Sequence, residues 1–258
     1  MNALEGAGFI ALGFVAGIYG TLVGVGGGLL IVPTLLLNHV APKDAAGTSM
    51  AVVLANAASG SVSYLRQRRV DVRSAFVLAL AGLPGALLGG VVDQYVPRTL
   101  FSLLFSTLLL IVGVRFFLKP GQEAQGSAAV ASSANTAGFR PFPAAAIGLV
   151  AGFLASMFGI GGGIIFVPSM AYLFGFPAHV ATATSTFIIA LTAIFGTASH
   201  AYYHDVLWGP ALALAIGAVA GAQIGARIAP RLRVPQLMRL FSVAVLLAAL
   251  WLLYKALA

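Results

Sequence analysis

Two glycine clusters, GVGGG at 24–28 and GIGGG at 159–163, are the residues best placed to do chemistry without a charged side chain. Glycine lets a solute approach the backbone and takes conformations that other residues avoid. A helix starting just after Gly28 or Gly163 aims unpaired N–H groups and the positive end of its dipole at whatever lies in front of it. Two such ends meeting can hold an anion with no buried Arg or Lys. A nucleotide fingerprint is excluded by spacing, because G-x-G-x-x-G needs glycine where Leu29 and Ile164 stand, and no Gly-Lys-Ser/Thr occurs. Thr48-Ser49 and Thr184-Ser185 begin the next apolar segments and offer hydroxyl donors. The expected solute-binding set is therefore Gly26, Gly27, Gly28, Thr48, Ser49, Gly161, Gly162, Gly163, Thr184 and Ser185. The competing readings are a purely structural break and, for the hydroxyls, capping or back-bonding.

Other polar residues offer less. His200-x-x-x-His204 followed by Asp205 has the spacing of a metal pair on a helix. It lacks the glutamate of a zinc protease motif and falls at a predicted membrane edge, so an interfacial loop is expected and no metal site. His39 and His179 stand alone. Asn56 and Gln223 lie inside apolar spans, where polar side chains face protein or a cavity. No carboxylate falls deep in a span, so a carboxylate proton relay is not expected. No acid or histidine accompanies a nucleophile motif, and cysteine is absent, so neither an enzyme nor a cofactor is expected.

The elements that must position these residues are membrane helices. Hydrophobic residues make up 60% of the 258, and charged residues only 8%, against about 25% in a soluble domain. The net charge of +8 comes from basic residues clustered between apolar segments, a membrane-topology pattern and not a nucleic-acid surface. Apolar segments fall at 6–37, 45–64, 74–92 and 99–118, then at 142–174, 180–202, 207–227 and 236–257. Most are near the roughly 20 residues that cross a bilayer. The first of each four is longer and is broken by its glycine cluster, a placement that points to a transporter site.

The two sets of four are related. GFVAGIYGTLVGVGGGLLIVP at 13–33 returns as GLVAGFLASMFGIGGGIIFVP at 148–168, with 10 of 21 positions identical. The chain thus reads as a first transmembrane repeat, 1–118, a polar Gly/Ala/Ser/Pro-rich linker, 119–143, and a second repeat, 144–258. Pro33 and Pro168 shape the second limb of each broken segment. Gly13/Gly17, Gly85/Gly89 and Gly221/Gly225 have the small-x-x-x-small spacing of helix packing.

Charge separates two topologies. If every segment crosses once, the halves are parallel and the basic residues divide almost evenly between the faces. If each broken segment enters and leaves on one side, the halves are inverted. Loops 65–73, 115–141 and 227–239 then share a face and hold 11 of the 14 Lys and Arg. The positive-inside rule favours this arrangement, with both termini outside. The fold class expected is thus an all-α polytopic membrane protein with two inverted halves of four apolar segments.

The paired G-x-G-G-G-x-x-x-x-P motifs at 24–33 and 159–168, each followed by Thr-Ser, resemble those of the TauE/SafE sulfite exporter family. The resemblance covers nearly the whole chain apart from the linker. It implies secondary transport of small anions, often sulfur oxyanions or organosulfonates, by a multi-pass protein of a cell membrane, the bacterial inner membrane above all. Its partners would be the anionic solute, the lipid bilayer and a coupling ion that the sequence does not identify. A homo-oligomer is compatible with the sequence. An anion channel and a non-transport assembly protein are the alternatives.

Overall fold

The computed structural model describes residues 3–118, 141–229 and 234–257. Within them every regular element is a helix. The first half holds α1 (Ala3–Val23), α2 (Gly28–Leu37), α3 (Pro42–Arg66), α4 (Val72–Asp93) and α5 (Arg98–Leu118). The second holds α6 (Pro141–Phe158), α7 (Gly163–Pro168), which runs into a π-helical turn at Ser169–Leu173, then α8 (Ala178–Tyr202), α9 (Trp208–Ile228) and α10 (Val234–Leu257). The expected linker 119–143 lies outside the described residues except for 141–143, which begin α6.

Six of the described helices are long and apolar enough to cross a bilayer, among them Pro42–Arg66 and Ala178–Tyr202. Their outward faces carry bare aliphatic side chains such as Leu80, Ile111, Leu212 and Ile216. So much exposed hydrocarbon is stable against lipid and not against water.

Each glycine-broken segment is a pair of helices. A continuous helix would hold Ala16 and Gly27 roughly 16 Å apart. Instead a Cβ built on Gly27 would stand 2.8 Å from the Ala16 carbonyl oxygen. The chain has turned back along α1. Gly162 lies in the same way against Ala151, at 3.0 Å. At about 1.5 Å per residue, the ten residues of α2 reach only half of a hydrocarbon core about 30 Å thick.

Small residues set the packing. α1 runs alongside α9 in the same direction, with Gly13 on Leu214, Gly17 on Ala218 and Gly221 on Phe14. α4 and α6 do likewise, with Gly85 on Leu149, Gly89 on Phe153 and Gly148 on Leu78. Cβ atoms on these six glycines would fall 2.0–2.6 Å from a partner carbonyl oxygen, so only glycine permits the approach. The expected packing role of these pairs is what their contacts record. α3 and α8 cross antiparallel at the centre, Gly47 meeting His200 and Gly60 meeting Thr186. α5 packs on α10, and the rings of Phe101, Phe105 and Phe158 stack at 5.4–5.7 Å.

Candidate functional site

The two glycine breaks meet at the middle of the α3–α8 crossing. Gly26 and Gly27 have φ of 91° and 85°, and Gly161 and Gly162 have 88° and 76°. These are left-handed values that residues with a side chain rarely adopt, which is the local reason for both runs. A Cβ on Gly26 would meet Val53 at 3.0 Å and Gly161 Cα at 3.7 Å, so the breaks face each other across Val53 and Ile189. The N–H groups of Val25 and Gly26 both donate to Gly20 O, at 2.8 and 3.2 Å. Those of Gly27, Gly28 and Leu29 open α2, where a helix supplies no internal acceptor. The N–H groups of Gly162, Gly163 and Ile164 open α7 in the same way.

The remaining expected residues hold this arrangement together. Ser49 Oγ donates to Gly159 O at 2.7 Å, and Ser185 Oγ donates to Gly24 O at 2.8 Å. Each serine thus satisfies a carbonyl of the break in the opposite half. Thr48 Oγ1 accepts from Leu207 N and Thr184 Oγ1 from Asp71 N, both at 3.0 Å. Leu207 and Asp71 are the N-cap residues of α9 and α4. The threonines therefore cap helices, but those of the other half. Gly28 and Gly163 pack where a Cβ would stand 2.2 and 2.0 Å from Gly159 O and Gly24 O. Gly26, Gly27, Gly161 and Gly162 lie at the centre of the crossing, Gly28, Gly163, Ser49 and Ser185 pack against the breaks, and Thr48 and Thr184 turn to the N-caps of α9 and α4.

The sequence places Asn56 and Gln223 inside apolar spans, facing protein or a cavity, where either can act as structural glue. Gln223 proves to be a tie, donating to Ser59 O at 2.7 Å and accepting from Ser63 Oγ at 2.7 Å. Asn56 differs. It is buried, accepts from Thr21 Oγ1 at 3.3 Å, and its Nδ2 has no acceptor among the described residues. It lies one helical turn past Val53, on the same face of α3.

A second polar cluster lies at the end of the bundle where α4 and α8 finish. Asp93, Asp205 and His200 are 3%, 1% and 0% exposed. His200, expected in an interfacial loop, is buried because it sits in the last turn of α8, against Gly47 of α3 and Ser156 of α6. Its Nε2 is 2.9 Å from Ser156 O and its Nδ1 is 3.6 Å from Asp205 Oδ2. Gln94 Nε2 donates to Asp205 Oδ2, and Lys43 Nζ lies 3.7 Å from Asp205 Oδ1. Burial pushes the Asp205 carboxyl up, but the polar contacts of His200 and Gln94 and the charges of His200 and Lys43 outweigh it and hold the group below its ordinary value. His204 stays outside, at a positive φ of 61°. Among the described residues no group of three or more His, Cys, Asp or Glu is arranged to hold a metal ion. The sequence sets Asp205 five residues after His200 but gives no sign that Asp93 joins them, since it lies 107 and 112 residues away.

Comparison with known proteins agrees with this architecture. The family model described as "Sulfite exporter TauE/SafE" matches residues 9–252. A protein of Bacillus subtilis (strain 168), named "Probable membrane transporter protein YunE", is 32% identical, over 95% of this chain and 96% of its own length. A "Probable membrane transporter protein" of Xylella fastidiosa (strain 9a5c) is 27% identical, over 95% and 92%. The protein YfcA of Escherichia coli (strain K12), named in the same way, is 26% identical over 85% and 78%. No solved structure matches.

Proposed function

The chain belongs to the TauE/SafE sulfite exporter family of multi-pass membrane transporters, and from that premise we propose that it carries small anions of the sulfur oxyanion or organosulfonate class as a secondary transporter. The observation that carries the reading is the meeting of the two glycine breaks at the centre of the bundle. Each presents a helix start to the other, and each is tied by a serine of the opposite half. Backbone N–H groups around Gly26, Gly27, Gly161 and Gly162 bind the anion, and Asn56 Nδ2 is a buried donor close by that lacks an acceptor. Ser49, Ser185, Thr48 and Thr184 position the breaks, and Gly28 and Gly163 allow them to close.

The halves are inverted repeats, 1–118 and 144–258, that rock against each other around this site. Paired contacts support this. The contacts of α1 with α9 have counterparts between α6 and α4, and the Ser49 contact has its counterpart at Ser185. Gln94 reaches Asp205, which parallel halves would place on opposite faces. In the closed arrangement Val53 and Ile189 occupy the space between the breaks, so the solute enters only when the halves part.

The test is tracer uptake by purified protein in liposomes, with sulfite and the sulfonate isethionate as solutes. Uptake should saturate and accelerate when unlabelled solute is present on the far side. Gly27→Leu and Gly162→Leu should abolish it, since a side chain at either position is both strained and in contact with backbone. Monodisperse, membrane-inserted variants that still transport normally would remove the breaks from the site.

A further inference from the structure

We propose that the cluster of His200, Asp93 and Asp205 is a proton-binding site that latches the two halves together at the face carrying Tyr95 and Tyr202. The latch joins one half to the other. Lys43, Asp93 and Gln94 come from α3 and the end of α4, and His200 and Asp205 from α8 and the loop after it. The proposal rests on the transport reading only for its consequence, the opening and closing of that face.

The argument starts from hydrogen-bond polarity. Ser156 O can only accept, so the Nε2 facing it at 2.9 Å carries a proton. In a neutral imidazole, Nδ1 is then a lone pair. That lone pair points toward the Asp205 carboxylate at 3.6 Å, too far and of the wrong polarity for a hydrogen bond, and Nδ1 has no partner among the described residues. Asp93 Oδ2 is likewise buried with no partner among them. His200 Nδ1 thus faces an ionised carboxylate with no donor between them, and Asp93 Oδ2 is a second buried acceptor without one. Adding one proton repairs this. Nδ1 becomes an N–H donor directed at Asp205, and the imidazolium charge stands beside Asp93.

Charge gives the same answer. The groups around the cluster are Lys43 and Asp44 of α3, Asp93 of α4, His200 of α8 and Asp205, and Arg98 of α5 lines the adjoining cavity. Lys43, half-exposed, lies 3.7 Å from Asp205 Oδ1, and the two buried aspartates outnumber it, so net negative charge remains while His200 is neutral. A buried, uncompensated charge is costly, and one proton removes it. The cavity, about 270 Å³ and lined by Lys43, Asp93, Gln94 and Arg98 among others, brings water to Asp93 and gives the proton a route. The proton comes from this water, bonds to the Nδ1 lone pair, and returns to water when the latch opens.

At the other face the matching positions hold different residues. The residue corresponding to His200 in the first half is Tyr64, whose hydroxyl donates to Thr21 O at 2.8 Å just as His200 Nε2 meets Ser156 O. The residue corresponding to Asp205 is Arg69. A tyrosine makes the same tie without a group that titrates near neutrality. Acid therefore closes the face carrying Tyr95 and Tyr202.

The test uses the absence of native cysteine. Val96→Cys, at the cavity wall, is reacted in detergent with a maleimide, and Tyr95→Cys, fully exposed next door, is the reference for the thiol's own pH dependence. The ratio of the two rates should rise several-fold between about pH 6 and about pH 8.5, the range that brackets histidine titration. His200→Gln and Asp93→Asn should each make the ratio independent of pH, and the two variants guard against one failing to fold. In liposomes at equal pH on both sides, isethionate exchange should slow several-fold over the same fall in pH, and both variants should remove that dependence. A ratio that does not change with pH, or that changes equally in both variants, overturns the proton site. If the ratio behaves as expected while isethionate does not move, the proton site stands and the proposed solute class is wrong.

Discussion

Ser49 and Ser185 show how much a single hydroxyl decides in this protein. Each glycine break frees carbonyls that no water reaches, and an unsatisfied buried acceptor costs about 1–3 kcal/mol. Gly159 O and Gly24 O are satisfied by serines 110 and 161 residues away. Ser49→Ala and Ser185→Ala should therefore each destabilise the purified protein by about 1–3 kcal/mol, read as a lower thermal midpoint in detergent. Unchanged midpoints in both would show that the serine contacts do not hold the breaks. The dipeptides were legible in the sequence as donors near the glycines. Their acceptors were not, because a hydroxyl's partner depends on which backbone is brought to it.

At the scale of helices, two classes of glycine separate cleanly. Cβ atoms on Gly85 and Gly221 would stand 2.1 and 2.2 Å from Leu149 O and Phe14 O, whereas nothing lies within 4 Å of those on Gly8 and Gly209. Backbone cannot step aside as a side chain can, so Gly85→Ala and Gly221→Ala should cost about 1–3 kcal/mol, the usual penalty of overpacking. Gly8→Ala and Gly209→Ala should be neutral, or gain up to about 1 kcal/mol from helix propensity. Thermal unfolding of the four variants side by side checks this, and equal effects would refute the parallel packing of α1 on α9 and α4 on α6. Orientation is tested with single cysteines. In intact cells an impermeant maleimide should label Tyr95→Cys and Tyr202→Cys, while Arg73→Cys should react only after the membrane is opened. Labelling of Arg73→Cys and Tyr202→Cys from the same side would leave parallel halves as the topology.

For the molecule as a whole, the distinction that matters is between a carrier and a channel. In the proposed carrier each break is tied to the opposite half by a serine, so the halves part for the site to open. A carrier of this design needs no nucleotide, and no phosphate-binding loop exists in the sequence. Uptake into sealed, ATP-free liposomes should proceed down a solute gradient, and a solute trapped inside should drive counterflow of the tracer. Uptake that never saturates and shows no counterflow would make the protein a channel. Strict dependence on ATP would rule out both.

Composition, segment length and the glycine runs were enough to establish a helical membrane protein whose first and fifth apolar segments are broken, because hydrophobic length and backbone freedom are local properties. The motif pair also sufficed for the family. Four apolar segments per half became five helices because the chain turns back at each break, and a run of glycines permits a turn without fixing its direction. Only the tertiary structure decided what faces what. It set Gly26 opposite Gly161, gave the serines to the opposite half, and brought Asp93, His200 and Asp205 together at the ends of two helices. Burial of a charged side chain is a property of its neighbours, and neighbours more than a hundred residues away leave no local pattern in the chain.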